Sequence, residues 1–176
     1  MELTLAECNK MMEENGGNLD LSCSEVTSLP NGLTVKGDLD LKDTPITKLP
    51  DNLTITGSLC LSGTPIKELP NDLVVGIKGN LYLCGTPITS LPDGLKVEGD
   101  LDLFSTRINK LPDNLVVGGF LDLSYTPITS LPERLTVGGN LDLRNSEITS
   151  LPLDITVLGE IYLDSKTIKL EATNYG

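Results

Sequence analysis

Leu111-Pro112-Asp113-Asn114-Leu115-Val116-Val117-Gly118-Gly119-Phe120-Leu121-Asp122-Leu123-Ser124-Tyr125-Thr126-Pro127-Ile128-Thr129-Ser130 is followed at once by Leu131-Pro132-Glu133-Arg134-Leu135-Thr136-Val137-Gly138-Gly139-Asn140-Leu141-Asp142-Leu143-Arg144-Asn145-Ser146-Glu147-Ile148-Thr149-Ser150. The second stretch repeats the first at a fixed spacing, and a fixed period is the mark of a stacked repeat architecture. Leu-Pro also stands at Leu29-Pro30, Leu49-Pro50, Leu69-Pro70, Leu91-Pro92 and Leu151-Pro152, at steps of 20 residues with one step of 22. The unit reads Leu-Pro-x-x-Leu-x-Val-x-Gly-x-Leu-Asp-Leu-x-x-Thr-Pro-Ile-x-x.

Each slot of the unit has a physical job. In Leu101-Asp102-Leu103 the leucines point one way and the aspartate the other, as in a half-buried strand. The triplet recurs from Leu19-Asp20-Leu21 to Ile161-Tyr162-Leu163, which predicts about eight coils with one strand each in a single parallel sheet. A hydroxyl follows the strand (Ser24, Thr44, Thr64, Thr86, Thr106, Thr126, Ser146) and suits a turn. Two residues on comes a β-branched core residue, from Val26 to Ile168. Pro45, Pro65, Pro87 and Pro127 bar a helix at that corner. The return segment is therefore extended or turned, with inward pairs such as Leu95/Val97 and a glycine at its last corner. The extra two residues predict a bulged loop at Gly76-Ile77-Lys78-Gly79 on the return side.

The unit resembles the leucine-rich repeat, with Thr where that family has Asn. Its short period and Leu-Pro return are most similar to the bacterial class found in secreted effectors. The resemblance covers about residues 18–170. It implies an α/β repeat fold, a leucine-rich-repeat solenoid whose hydroxyl row replaces the asparagine ladder. It also implies binding of a protein partner, and export into a host cell if the chain acts as an effector. Some effectors carry a catalytic domain after the repeats; with few residues following Leu170, none is expected here.

The expected organisation is an N-terminal capping helix in 1–17, the solenoid in 18–165 and a short tail in 166–176. Thr4-Leu5-Ala6-Glu7 is a capping box, Leu5, Cys8, Met11 and Met12 share a face, and Gly16-Gly17 stops the helix. Nothing comparable closes the other end, so the strand edge near Ile161-Tyr162-Leu163 is a candidate for self-association.

Composition narrows function. The chain of 176 residues has no histidine, which removes His-based catalysis and His metal ligation. A net charge of −12 argues against direct binding of nucleic acid or an anionic membrane. Cys8, Cys23, Cys60 and Cys84 lack metal-ligand spacing and read as reduced thiols of a cytoplasmic protein. No phosphate loop, nucleophile elbow or metal cluster is present, so no enzyme, cofactor or metal is expected.

Three residues per strand are expected to face outward: the one before the triplet, its middle and the one after. Of these 24 positions nine are acidic and two basic. Four of the six aromatic residues, Tyr82, Phe104, Phe120 and Tyr162, lie among them, with Tyr125 alongside. Aromatic residues within a charged surround are the pattern of a protein-binding surface. Tyr82, Phe104, Phe120 and Tyr125 are the expected anchors. Asp100, Asp102, Asp122, Asp142 and Arg144 are expected to set charge complementarity toward a basic partner. Two other readings stand beside this one. An acidic rod could imitate nucleic acid and block a protein that binds it, or the chain could be a structural, self-associating repeat. A calcium ladder along the aspartates is weaker, because leucine replaces a needed glycine and the period is 20.

Overall fold

The computed structural model describes residues 1–164 and 169–171. The predicted core residue Ile168 and most of the 166–176 tail lie outside the described residues.

The chain is a β-solenoid. Eight two-residue front strands, Leu19–Asp20, Leu39–Asp40, Leu59–Cys60, Leu81–Tyr82, Leu101–Asp102, Leu121–Asp122, Leu141–Asp142 and Ile161–Tyr162, form one parallel sheet in sequence order and bound about seven full turns. Register is strict. Leu101 lies beside Leu121 and Asp102 beside Asp122, then Leu141 and Asp142 follow. The strict period keeps each slot above its own kind, so like side chains form columns.

The columns divide as the alternation requires. Leu101, Leu103, Ile108, Leu111, Leu115 and Val117 are all at most 1% exposed. The other coils bury the same slots as far as Leu151, and the last coil, with Ile155, Val157 and Ile161 partly buried and Leu163 36% exposed, does not. Each such burial contributes about 1.5–3 kcal/mol of transfer free energy, so an aliphatic core suffices without aromatic residues. The hydroxyl column is buried as well. Thr44, Thr64, Thr86, Thr106 and Thr126 donate through Oγ1 to the carbonyls of Leu41, Leu61, Leu83, Leu103 and Leu123 at 2.6–2.8 Å. These bonds close the turn within one coil. They do not tie one coil to the next, so the hydroxyl row does not act as a ladder between coils.

One feature departs from the expectation of a single sheet with plain return segments. The returns pair too, as Thr34–Val35 with Thr54–Ile55 and as a second group running Lys96–Val97, Val116–Val117, Thr136–Val137, Thr156–Val157. Between the groups lies the two-residue insertion, crossed by a single Thr54–Val74 bridge. Ile77 stands 82% exposed at its tip. Gly76 stands where a Cβ would lie 1.8 Å from the Thr56 carbonyl oxygen, the same close approach made at Gly118 and Gly138 in coils without an insertion.

The N-terminal helix spans Leu5–Glu14 with both bonds of the capping box, Glu7 N–H to Thr4 Oγ1 and Thr4 N–H to Glu7 Oε2. The Thr4 hydroxyl and amide hold the Glu7 carboxyl below its ordinary range. Gly16 is left-handed at φ 62°, and Gly17 N–H returns to the Met12 carbonyl, which ends the helix as a Schellman turn. Cys8 and Met12 enter the core, but Leu5 is 44% exposed, so the buried face is narrower than predicted. Among the described residues no helix is long and apolar enough to cross a membrane.

Candidate functional site: the strand face

The strand face is built from three columns, and two of them have local work. The column before the triplet bonds across coils. The side-chain oxygens of Asn18, Asp38, Ser58, Asn80, Asp100 and Asn140 accept the N–H of Asp38, Ser58, Asn80, Asp100, Phe120 and Glu160, at 2.7–3.1 Å. This is the coil-to-coil ladder, one corner earlier than the hydroxyl row. Asp100 is thus half-buried and engaged through Oδ1 with the Phe120 amide. Phe120 has no oxygen and interrupts the ladder.

The middle column turns each strand exit. Asp20, Asp40, Asp102, Asp122 and Asp142 each accept, through Oδ1, the N–H two residues on, at 2.8–3.0 Å. Asp102 and Asp122 are half-buried neighbours in register. Burial pushes the Asp102 carboxyl up; the Phe104 amide opposes the rise and the Asp122 charge adds to it. Their Oδ2 atoms meet no protein donor among the described residues, and no salt bridge of the described residues reaches either, although the Arg144 guanidinium, bonded to Asp142, also feels the charge of Asp122.

Asp142 differs from the expected free carboxylate. It is only 2% exposed, because the Arg144 guanidinium folds back over it and donates through Nε and Nη2. Burial works to raise its carboxyl, and the guanidinium and amide bonds overcome that, leaving it below the ordinary range. The Arg144 guanidinium carbon lies 5.5 Å from the centre of the Tyr162 ring, a cation–π contact. Arg144 is therefore already committed to its own chain.

The four predicted anchors fall into two groups. Phe104 (37% exposed) and Tyr125 (58% exposed) meet with ring centroids 5.3 Å apart and planes at 59°, just past the strand exits of Asp102 and Asp122. Tyr82 and Phe120 are half-buried toward the entry side, where Asn80 Nδ2 donates to the Tyr82 hydroxyl at 2.7 Å. Four residue steps, about 13 Å of extended chain, lead from Phe120 to Ser124, the register partner of Phe104. Neither Phe104 nor Phe120 belongs to the buried core.

The backbone makes Tyr125 unusual. Each coil places one left-handed residue at this corner: Cys23, Asp43, Gly63, Gly85, Ser105, Tyr125 and Asn145, with φ between 54° and 71°. Six of the seven are small or short polar residues, and a bulky residue there is a genuine outlier.

Sequence reasoning passed over Tyr162 as a site residue, and Asn80 and Asn140 as its kind of support. Asn140 Nδ2 donates to the Tyr162 hydroxyl at 3.2 Å, as Asn80 does to Tyr82. At Tyr82 the asparagine stands before the same strand, whereas Tyr162 follows Glu160 and is reached by Asn140 from the previous coil, so only the first pairing had a local signal. The thiols Cys60 and Cys84 are raised chiefly by burial, with Asp102 and Asp122 adding to the rise at Cys84. Among the described residues no group of three or more carboxylates or thiols is placed to hold a metal ion. The front sheet ends at Ile161–Tyr162, whose outer edge has no strand beside it among the described residues. Compared with models of known protein families and with curated proteins, the chain matches none.

Proposed function

We propose that this chain is a non-catalytic binding module that holds a protein partner on its strand face. The unit is then a variant leucine-rich repeat in which the residue before the strand takes over the asparagine ladder. The observation that carries the reading is the Phe104–Tyr125 pair, packed at 5.3 Å outside the core. The fold has no use for a large ring at Tyr125, since the other coils hold that corner with small or short polar residues. Exposed aromatic residues supply large contact area at low entropy cost, and they dominate protein interfaces. Phe120 supports the reading in the same way, since it takes a slot where an oxygen would have bonded the next coil. The four free thiols suit a reducing compartment, the cytoplasm of the producing cell or of a host.

The test is capture of partners from an extract of the source organism by wild-type protein and by a Phe104→Ala/Phe120→Ala variant. The reading requires recovery to fall while circular dichroism stays unchanged. Equal recovery with both proteins would falsify it.

A further inference from the structure

The strand face carries one completed arrangement and one that lacks a component. In the last two front strands, Asp142 holds the Arg144 fork, and the guanidinium lies over Tyr162 at 5.5 Å. Carboxylate and planar cation come from one coil and the ring from the next. One and two strands earlier, Asp122 and Asp102 stand in register with the Phe104–Tyr125 pair at their exits. The slots equivalent to Arg144 are filled there by Ser124 and Phe104. Carboxylates and rings are present, and the cation is not.

Resting on the reading of the strand face as a protein-binding surface, we propose that this patch receives an arginine side chain of the partner protein. Its guanidinium sits on the Oδ2 atoms of Asp102 and Asp122, and its plane lies against Phe104 and Tyr125. Oxygen use supports this. Asp102 gives Oδ1 to the Phe104 amide, and Asp122 gives Oδ1 to the Ser124 amide and hydroxyl, so each keeps one oxygen for an outside donor. Two half-buried carboxylates side by side repel each other, and a cation relieves that repulsion. Arginine fits better than lysine because a planar fork can bond two carboxylates and stack on a ring at once. The surrounding face has an acidic excess, nine acidic positions against two basic, and Arg144 is already bound to Asp142. That field steers a basic partner surface inward.

The probe is a library of random linear peptides displayed on phage, panned against the immobilised full chain. Enriched sequences are then synthesised and measured by calorimetry against wild type, Asp102→Asn/Asp122→Asn and Tyr125→Asn. Asparagine keeps the Oδ1 acceptor, removes the charge and puts an NH2 donor where Oδ2 would receive the guanidinium. The expected result is enrichment of arginine-containing peptides that weaken at least about tenfold on the asparagine variant. Replacing the peptide's arginine by alanine should weaken binding equally, and this arm carries the test alone if the asparagine variant melts early. Peptides that depend on Tyr125 but ignore both the carboxylates and their own arginine would overturn the inference and leave the binding reading standing. Failure to enrich any peptide sensitive to Tyr125 would overturn both.

Discussion

Tyr125→Asn separates the cost of a residue to its fold from its use. Tyr125 sits at φ 57°, and the equivalent Asn145 sits at 56°. A left-handed conformation costs an ordinary residue about 1–2 kcal/mol, and asparagine is among the residues that tolerate it best. The substitution therefore regains about 1 kcal/mol of backbone strain. It forfeits the ring contact with Phe104, worth about 0.5–1.5 kcal/mol, and little burial, since Tyr125 is 58% exposed. The two effects nearly cancel, so stability should stay within about 1 kcal/mol of wild type. For a chain of this size that is a shift in Tm of at most about 2–4 °C. Urea titration with unchanged slope gives the same quantity independently. Partner affinity should behave otherwise, because truncating an aromatic anchor costs at least about 2 kcal/mol, roughly a thirtyfold rise in Kd. The paired measurement is decisive in both directions. A loss of stability above about 2 kcal/mol would mean that Tyr125 plugs the corner, and the argument that the fold has no use for it would collapse. Unchanged partner affinity would remove it from the interface.

Two further outcomes follow from the same geometry. The Asp142–Arg144 pair contributes stability that is complete above the ordinary aspartate value of 3.8 and lost as the pH falls through the lower value of Asp142. Urea melts of wild type and Arg144→Met should thus differ at neutral pH and converge in acid, and a difference independent of pH would exclude the pair as its source. Thr106→Val keeps shape but deletes the Oγ1–H bond to Leu103, 2.8 Å long at a residue 3% exposed. It should cost about 1 kcal/mol, seen as a drop in Tm of about 2–4 °C, and an unaltered melt would refute the structural role given to the hydroxyl column.

Much of the fold is legible because a strict period exposes each residue's environment several times over. The leucine pairs, the Leu-Pro returns and the capping box each carry their own signal. The bulge at Gly76–Gly79 is readable from two extra residues. The pairing of the return segments is not, since a two-residue strand has no alternation to read. The ladder was missed for a different reason. Asn18, Asp38, Ser58, Asn80, Asp100 and Asn140 look like solvated polar residues until the next coil's N–H is known to lie beside each one. What they share is an oxygen on a short stem. A glycine also stands in the following coil just where a Cβ would strike that oxygen, as Gly37 would meet Asn18 Oδ1 at 2.0 Å. The site was legible as a set of positions but not as groups. Burial of Asp142 depends on where Arg144 folds, and the split of the aromatic residues depends on Tyr82 leaning to Asn80.

The charge of the face and its aromatic residues do not carry equal weight in this argument, and the repeat itself supplies the control. An aspartate in the middle column does the same local work in coil after coil, holding the amide two residues on, so its recurrence needs no partner to explain it. A chain imitating nucleic acid would need that column unbroken and free along the stack. Instead Cys60, Tyr82 and Tyr162 interrupt it, and Arg144 neutralises Asp142. The departures from the repeat are concentrated elsewhere. Phe120 gives up a ladder oxygen, Tyr125 occupies a left-handed corner and Phe104 follows a strand exit, all in two adjacent coils. Phe120 and Tyr125 depart from patterns that stabilise the other coils, Phe104 packs against Tyr125, and none fills the core. Residues kept against the local rule mark where something other than folding acts on the sequence. On the binding reading proposed above, that place is the patch around Asp102 and Asp122, bounded by rings, rather than the acidity of the whole face.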